Sequence, residues 1–306
     1  MNTKKILITG ITGFIGSHIA EELLRKKFEI IGLKRKNSDC WRCEDIIDKI
    51  MWIDVDDFFV KKIVALKPDI IVHCAWNGAG AEDRNNPEVQ KENLDFLNAI
   101  LEIAGKLKID KLIGLGSQAE YGFLNKAVSE NNLIAPDTEY GKTKVAASKN
   151  IEKHCTKLSI NWYWLRLFSF YGSKETTNWF IPFIISSFIT NKKTIPLSSC
   201  TQKYAYLYIN DLVKYILKLI QKNNPPSGIY NISGSKALPL KEIVLKIKSN
   251  FKNSMSELDF GAYPTRKHQS TLLKGNMSKY HKNIGSVKKT LFDEGLKKTI
   301  EYYKAK

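Results

Sequence analysis

Three glycines at three-residue spacing, Gly10, Gly13 and Gly16, stand between an apolar run, KILIT at residues 5–9, and a stretch with Ile15, Ile19 and Leu23 at helical spacing. A strand that turns on glycines straight into a helix limits the fold more than any other feature of this chain. The tight turn favours glycine at position 10, a bare backbone at position 13 lets a pyrophosphate approach, and Gly16 lets the helix lie close to the sheet. The spacing is GxxGxxG, not the GxGxxG of the general fingerprint, and glycines also serve ordinary turns. Its placement decides the matter: strand, turn and helix together read as a dinucleotide site, with Thr12, Phe14 and Ile15 completing the loop that faces the cofactor.

From residue 29 onward, short apolar runs alternate with helical patterns, as parallel strands joined by crossover helices require. Strands are expected at 29–33, 51–53, 69–75, 111–116 and 160–168, and helices at 56–66, 88–106 and 138–157. The run DIIVHCA at 69–75 is apolar throughout, the pattern of a central strand covered on both faces. On the sixth strand Trp162, Tyr163 and Trp164 should alternate between the two core layers. Beyond Gly172 the periodicity weakens, with helices expected at 178–189, 211–221, 239–250 and 291–304 and a strand at 228–232. The expected fold class is therefore α/β: a Rossmann-type doubly wound parallel sheet in residues 1–172, which a later segment could rejoin, and a smaller C-terminal α/β lobe in residues 173–306.

Composition excludes several function classes. With 43% apolar and 11% aromatic residues in 306, the chain can build a large core and disorder is not the main state. No apolar run reaches the roughly 18 to 20 residues that cross a bilayer, and no signal-peptide arrangement opens the sequence, so a cytoplasmic location and no membrane partner are expected. The net charge of +17 raises the question of nucleic acid, but the lysines fall in short clusters on separate segments, and a small anionic ligand explains them better. Cys40 and Cys43 form a lone CxxC with no second pair and no nearby histidine pair; reduced thiols and no metal site are expected.

Two further motifs carry chemistry. The second strand ends in Lys34 and Arg35, with no carboxylate at its tip to accept from a ribose 2′-hydroxyl. Two cations there would attract a 2′-phosphate, so NADP is expected as cofactor, with NAD the alternative. Asp54, after the third strand, is placed either to meet the adenine or to cap the next helix. Tyr140 and Lys144 lie one turn apart on one helix, where an ammonium near a phenol favours the phenolate. Ser117, just past the fifth strand, could bind the same substrate oxygen. Ser117, Tyr140 and Lys144 form the candidate catalytic set, the last two also facing the cofactor.

With these motifs the chain resembles the extended short-chain dehydrogenase/reductase (NAD-dependent epimerase/dehydratase) family. The resemblance extends to His73, Cys74, Ala75 and Trp76 after the fourth strand, Asn93, the run RLFSFYG at 166–172, and Gln202 through Asp211. It implies a bound NAD(P), with Ala75 among its contacts, and a C-terminal lobe that grips a nucleoside diphosphate sugar through Ser117, Asn178, Gln202 and Arg266. It also implies a homodimer through the helices at 88–106 and 138–157. Departures narrow the subclass: the family's dehydratases carry an Asp-Glu pair directly after the catalytic hydroxyl, and this chain has Gln118 and Ala119. The family's Arg-Asp after Gln202 is replaced by Tyr204 and Ala205. The segment at 259–262 leading to Arg266 is similar to that of bacterial reductases of nucleotide-linked 4-keto-6-deoxyhexoses. The expected activity is thus NAD(P)H-dependent reduction of such a 4-keto group, in the supply of sugars for surface polysaccharide. A 4-epimerase with retained NAD is the alternative, and a non-catalytic NADP-binding regulator the alternative of another class.

Overall fold

In the computed structural model, residues 4–264 and 269–306 are described. The first half forms β1 (Lys5–Thr9), α1 (Phe14–Arg25), β2 (Glu29–Lys34), β3 (Ile50–Asp54), α2 (Phe59–Leu66), β4 (Ile70–His73), α3 (Pro87–Leu107), β5 (Lys111–Ser117), α4 (Glu139–Lys157) and β6 (Asn161–Leu167). The lobe adds β7 (Ser169–Tyr171), α5 (Phe180–Ile189), β8 (Thr194–Leu197), β9 (Lys203–Tyr204), β10 (Tyr206–Tyr208), α6 (Ile209–Gln221) and β11 (Gly228–Ile232). It ends with β12 (Leu238–Pro239), α7 (Leu240–Lys248), β13 (Glu257–Phe260), β14 (Leu272–Leu273), α8 (Ser278–Asn283) and α9 (Phe292–Lys304).

Seven strands make one sheet in the order β11-β6-β5-β4-β1-β2-β3. Every pairing in it is parallel. This is the doubly wound α/β fold expected from the sequence. β11 rejoins the sheet from the lobe, and α6 packs on α1. The order reverses between β1 and β4, and in open α/β sheets the crevice at that switch point is where ligands bind. Small sheets, β10-β7, β12-β9-β14 and β13-β8, build the lobe.

Side-chain alternation divides the core into two layers. Ile6 and Ile8 join one cluster with Tyr163, α1 and α6, while Leu7, Trp162 and Trp164 join the other with α3 and α4. The tryptophan and tyrosine run of β6 therefore fills both faces, as a period of two requires. Helix α2 starts at Phe59, three residues later than expected, because the Asp56 carboxylate accepts from the N–H of Phe58 and holds a turn. A 3-10 helix at Trp41–Lys49, which no sequence period announced, buries Cys43 and Ile46. Among the described residues no helix is long and apolar enough to cross a membrane.

Candidate active site

All seven strands of the main sheet direct their carboxyl ends to one edge, and the motif residues gather there. Gly10 has φ +64°, and a Cβ on it would lie 2.6 Å from the Ala75 nitrogen. A Cβ on Gly16 would lie 2.3 Å from the Gly10 carbonyl oxygen. These two glycines are required by close backbone approach inside the protein. Gly13 differs: the carbonyl oxygen of Gly10, at 3.1 Å, is the one atom within 4 Å among the described residues. Gly13 also caps α1, with no side chain accepting from the helix and no acid in its first turn. Amide donors of Phe14 and Ile15 at a helix start without a competing carboxylate fit a dinucleotide's diphosphate. Ala75 completes this floor, its N–H donating to Thr9 Oγ1 at 3.1 Å, while Thr9 Oγ1 also meets His73 Nδ1 at 2.9 Å. Burial, with the Lys144 charge second, pushes the His73 pKa down to about 3, so the ring is neutral at working pH.

The basic tip is rearranged from what the sequence implied. Lys34 Nζ donates to Asp54 Oδ1 at 2.7 Å, because Lys34 and Asp54 are register partners on the neighbouring strands β2 and β3. Asp54 thereby pairs with Lys34 through one oxygen, its side chain 44% exposed, and does not cap α2, whose cap is Phe58, while Arg35 is exposed. A further cation went unread in the sequence: Arg42, on the 3-10 helix, brings its guanidinium to the Thr12 carbonyl at 3.4 Å.

Ser117 closes β5, and Tyr140 opens α4, whose first turn is held by Thr138 accepting from the Gly141 N–H. The Ser117 hydroxyl accepts from the Ala119 N–H at 3.2 Å. Burial raises the Tyr140 phenol's pKa, whereas the nearby Ser117 hydroxyl and the charge of Arg84 lower it and Glu120 raises it. Lys144 shares the Tyr140 face of α4, but its ammonium donates to the Leu115 carbonyl at 2.7 Å and sits 3.4 Å from the Trp76 ring centroid. It lies 5.7 Å from the Tyr140 ring centroid. Burial brings the Lys144 pKa down to about 7, against the charges of Glu120 and Cys74, which raise it.

Two groups behind this set were missed in the sequence. The carboxylate of Glu120, 0% exposed, accepts from the Ser117 N–H at 2.9 Å, Trp164 Nε1 at 2.8 Å and Arg166 Nε at 2.7 Å. The signal was available: Ser117 and Glu120 form an S-x-x-E capping box. Arg84, on the loop after β4, lies over the Tyr140 ring, its guanidinium carbon 4.4 Å from the centroid. No periodicity marks that loop. It is fixed by α3, where Gln90 Nε2 donates to the Gly78 carbonyl and Asn93 brackets the backbone of Asn77.

The expected substrate residues are less gathered. Asn178 is exposed in the turn before α5, with no bond joining it to the catalytic set. Gln202 is buried, its Nε2 donating to Gln269 Oε1 at 3.5 Å. Arg266 lies outside the described residues. Among the described residues no group of three or more His, Cys, Asp or Glu could hold a metal ion. Burial raises the Cys43 thiol's pKa to about 11, which makes it a poor nucleophile.

Comparison with known proteins agrees with this geometry. The model of the NAD dependent epimerase/dehydratase family matches residues 6–233. The chain is 27% identical to the CDP-abequose synthase of Salmonella muenchen, the alignment covering 97% of each. Among solved structures, the UDP-glucose 4-epimerase of Thermotoga maritima, bound to UDP-glucose, superposes with a TM-score of 0.88 at 21% identity, covering 98% of this chain and 99% of that one. The UDP-glucuronic acid 4-epimerase of Bacillus cereus, in complex with NAD, superposes with a TM-score of 0.83 at 22% identity over the same shares.

Proposed function

This chain belongs to the NAD-dependent epimerase/dehydratase family and is an enzyme of that family, and within it we propose a cytoplasmic, NADPH-dependent reductase of the 4-keto group of a nucleoside diphosphate 4-keto-6-deoxyhexose. The observation that carries the reading is the state of the acids beside Ser117. Where an elimination needs a free acid and base, position 118 is Gln, position 119 is a buried Ala, and Glu120 is committed to Arg166, Trp164 and the Ser117 N–H. What remains is a hydroxyl pair suited to protonating a carbonyl oxygen. The full-length likeness to a CDP-abequose synthase supports the same subclass.

In this reading Ser117 donates to the substrate carbonyl oxygen and holds it against Tyr140. A reduced nicotinamide, when bound, supplies the hydride to the carbonyl carbon. Tyr140 passes its phenolic proton to the oxygen as the alcohol forms, and solvent returns the proton. Preorganised donors at an oxygen that gains charge are a main source of rate. Lys144, tied to the Leu115 carbonyl, is proposed to hold the nicotinamide ribose. Asn178, Gln202 and Arg266 are proposed for the sugar nucleotide. A homodimer through α3 and α4 belongs to the proposal on the family resemblance.

One observation favours a second reading. The Lys34–Asp54 pair leaves Arg35 to meet a 2′-phosphate at that tip, which weakens the case for NADP and keeps a 4-epimerase with retained NAD in play. The deciding experiment offers the protein NADPH or NADH with nucleotide 4-keto-6-deoxysugars and follows absorbance at 340 nm. Consumption of NADPH that Tyr140→Phe abolishes is the expected result. Inversion at C4 of a nucleotide sugar without added cofactor, and no consumption with any keto sugar, overturns the reductase in favour of the epimerase.

A further inference from the structure

The i, i+4 lysine is the residue from which sequence spacing expects help for the tyrosine, yet the guanidinium of Arg84 stands closer to the Tyr140 ring than the Lys144 ammonium does. Arg84 lies 4.4 Å from the centroid, against 5.7 Å for Lys144 Nζ. Arg84 also grips the tyrosine through the main chain, its carbonyl accepting from the Tyr140 N–H at 2.9 Å. The loop that carries it is not free to drift. Gln90, 1% exposed, holds the carbonyls of Gly78 and Asp83 at 2.8 and 3.2 Å, and Arg84 itself reaches the Ala79 carbonyl at 3.4 Å. Lys144, by contrast, commits one donor to Leu115 and faces the indole of Trp76, which in turn donates to Gln90 Oε1 at 3.1 Å.

We propose that Arg84 is the positioning residue of Tyr140: it fixes the tyrosine backbone, holds its guanidinium over the reacting ring and stabilises the phenolate that proton transfer leaves behind. The proposal rests on the reductase or epimerase reading only in making Tyr140 the proton donor. The charged and polar groups that face this phenol are Arg84 from the loop after β4, Ser117 and Glu120 from the end of β5, and Lys144 from α4 itself, with His73 and Cys74 facing Lys144 from the end of β4. Glu120 opposes the phenolate, and a cation close to the ring works against that charge. A guanidinium over a largely buried ring acts at an effective dielectric well below that of water, and a change of about one pH unit in phenol ionisation is the expected scale.

The test uses the full chain carrying tyrosine labelled with carbon-13 at Cζ, the Tyr140 signal being assigned by its loss in Tyr140→Phe. In Arg84→Gln the phenolate fraction of Tyr140 at a fixed alkaline pH should fall about tenfold, and Arg84→Lys should restore part of it. With an active substrate in hand, the pH profile of kcat should shift upward by a similar amount while KM for the cofactor changes little. An unchanged Tyr140 titration in Arg84→Gln, in a protein with native melting behaviour, overturns the proposal. If Arg84→Gln does not fold, Arg84→Lys decides alone: it keeps the carbonyl grip and a charge but not the guanidinium over the ring, and a phenol that titrates as in the parent refutes a role for that guanidinium. The labelled titration needs no substrate, so a wrong substrate class and a wrong role for Arg84 give different results.

Discussion

Replacing Glu120 by glutamine keeps the shape of the side chain and removes the one charge that answers Arg166. Both residues are buried, with side chains 0% and 4% exposed, and the guanidinium's other contact is the Tyr121 hydroxyl at 3.0 Å. The Tyr121 hydroxyl in turn donates to Asn231 Oδ1 at 2.8 Å, and the Asn231 N–H reaches Glu130 Oε1 at 2.7 Å, so the pair anchors a chain of bonds from the end of β5 to β11. Removing one partner of such a pair leaves an uncompensated buried charge, at a cost of about 3–5 kcal/mol. The new amide also turns an N–H pair toward donors where an oxygen accepted before. At about 2 °C per kcal/mol for a chain of this size, the melting temperature should fall by roughly 6–10 °C. Arg166→Met alone should cost a similar amount. The double variant Glu120→Gln, Arg166→Met should cost far less than the two losses together, since no charge is then stranded. Urea unfolding at pH 7 followed by circular dichroism supplies the four free energies. Additive single losses, or a Glu120→Gln cost below about 1 kcal/mol, would refute the view that this pair acts as one buried unit.

Four further outcomes are expected. Gly13→Ala should leave the melting temperature within about 2 °C, because a Cβ there meets one protein atom, the Gly10 oxygen at 3.1 Å, yet weaken NADPH or NADH binding at least tenfold in a fluorescence titration; equal affinity would remove the diphosphate from that spot. Because the folded-state pKa of His73, about 3, is far below that of the unfolded chain, the unfolded state binds the extra proton, and stability should be lost as pH falls from about 6.5 toward 3. His73→Asn should flatten that slope in denaturant titrations across the window, and parallel curves would show that other groups carry it. Arg35→Ala should cut NADPH affinity several-fold and leave NADH affinity within twofold; an equal effect on both would discard the 2′-phosphate reading. Residues 173–306 hold 23 lysines and arginines against 8 acids, while residues 1–172 hold 25 against 23. With that charge excess on the lobe proposed to grip the substrate, kcat/KM for an anionic nucleotide sugar should fall as salt rises while kcat holds steady, which stopped-flow or steady-state rates at about 50 and 500 mM salt would check.

The parts of the fold that local pattern writes were legible, and those that depend on what faces what across the fold were not. The alternation at Trp162, Tyr163 and Trp164 follows from the pleat of one strand, so its division between two core layers could be read off three consecutive letters. The glycine turn is equally local, though the structure separates its members: Gly10 and Gly16 are demanded by neighbouring backbone and Gly13 is not. By contrast the Lys34–Asp54 pair exists because β2 and β3 lie side by side in a particular register, and a separation of 20 positions in sequence says nothing about register. Read singly, Lys34 is a cation free for a phosphate and Asp54 a carboxylate free for an adenine; read together they neutralise each other. Arg84 escaped for the same reason, since a guanidinium on a loop gains its meaning from the ring it covers, 56 residues further along the chain. Glu120 is the instructive exception. Its capping-box spacing to Ser117 is local, but the bonds to Trp164 and Arg166 that bury its charge are not, so the motif alone would have predicted a turn and missed the ion pair. The charge asymmetry between the two halves was open to counting from the outset. It arises more from a scarcity of acids in the lobe, 8 in 134 residues against 23 in 172, than from its somewhat higher share of lysine, and short basic clusters do not reveal it. Scarcity of one sign shapes a field as effectively as excess of the other, and the charge balance of a whole lobe is a property that position-by-position motifs do not express.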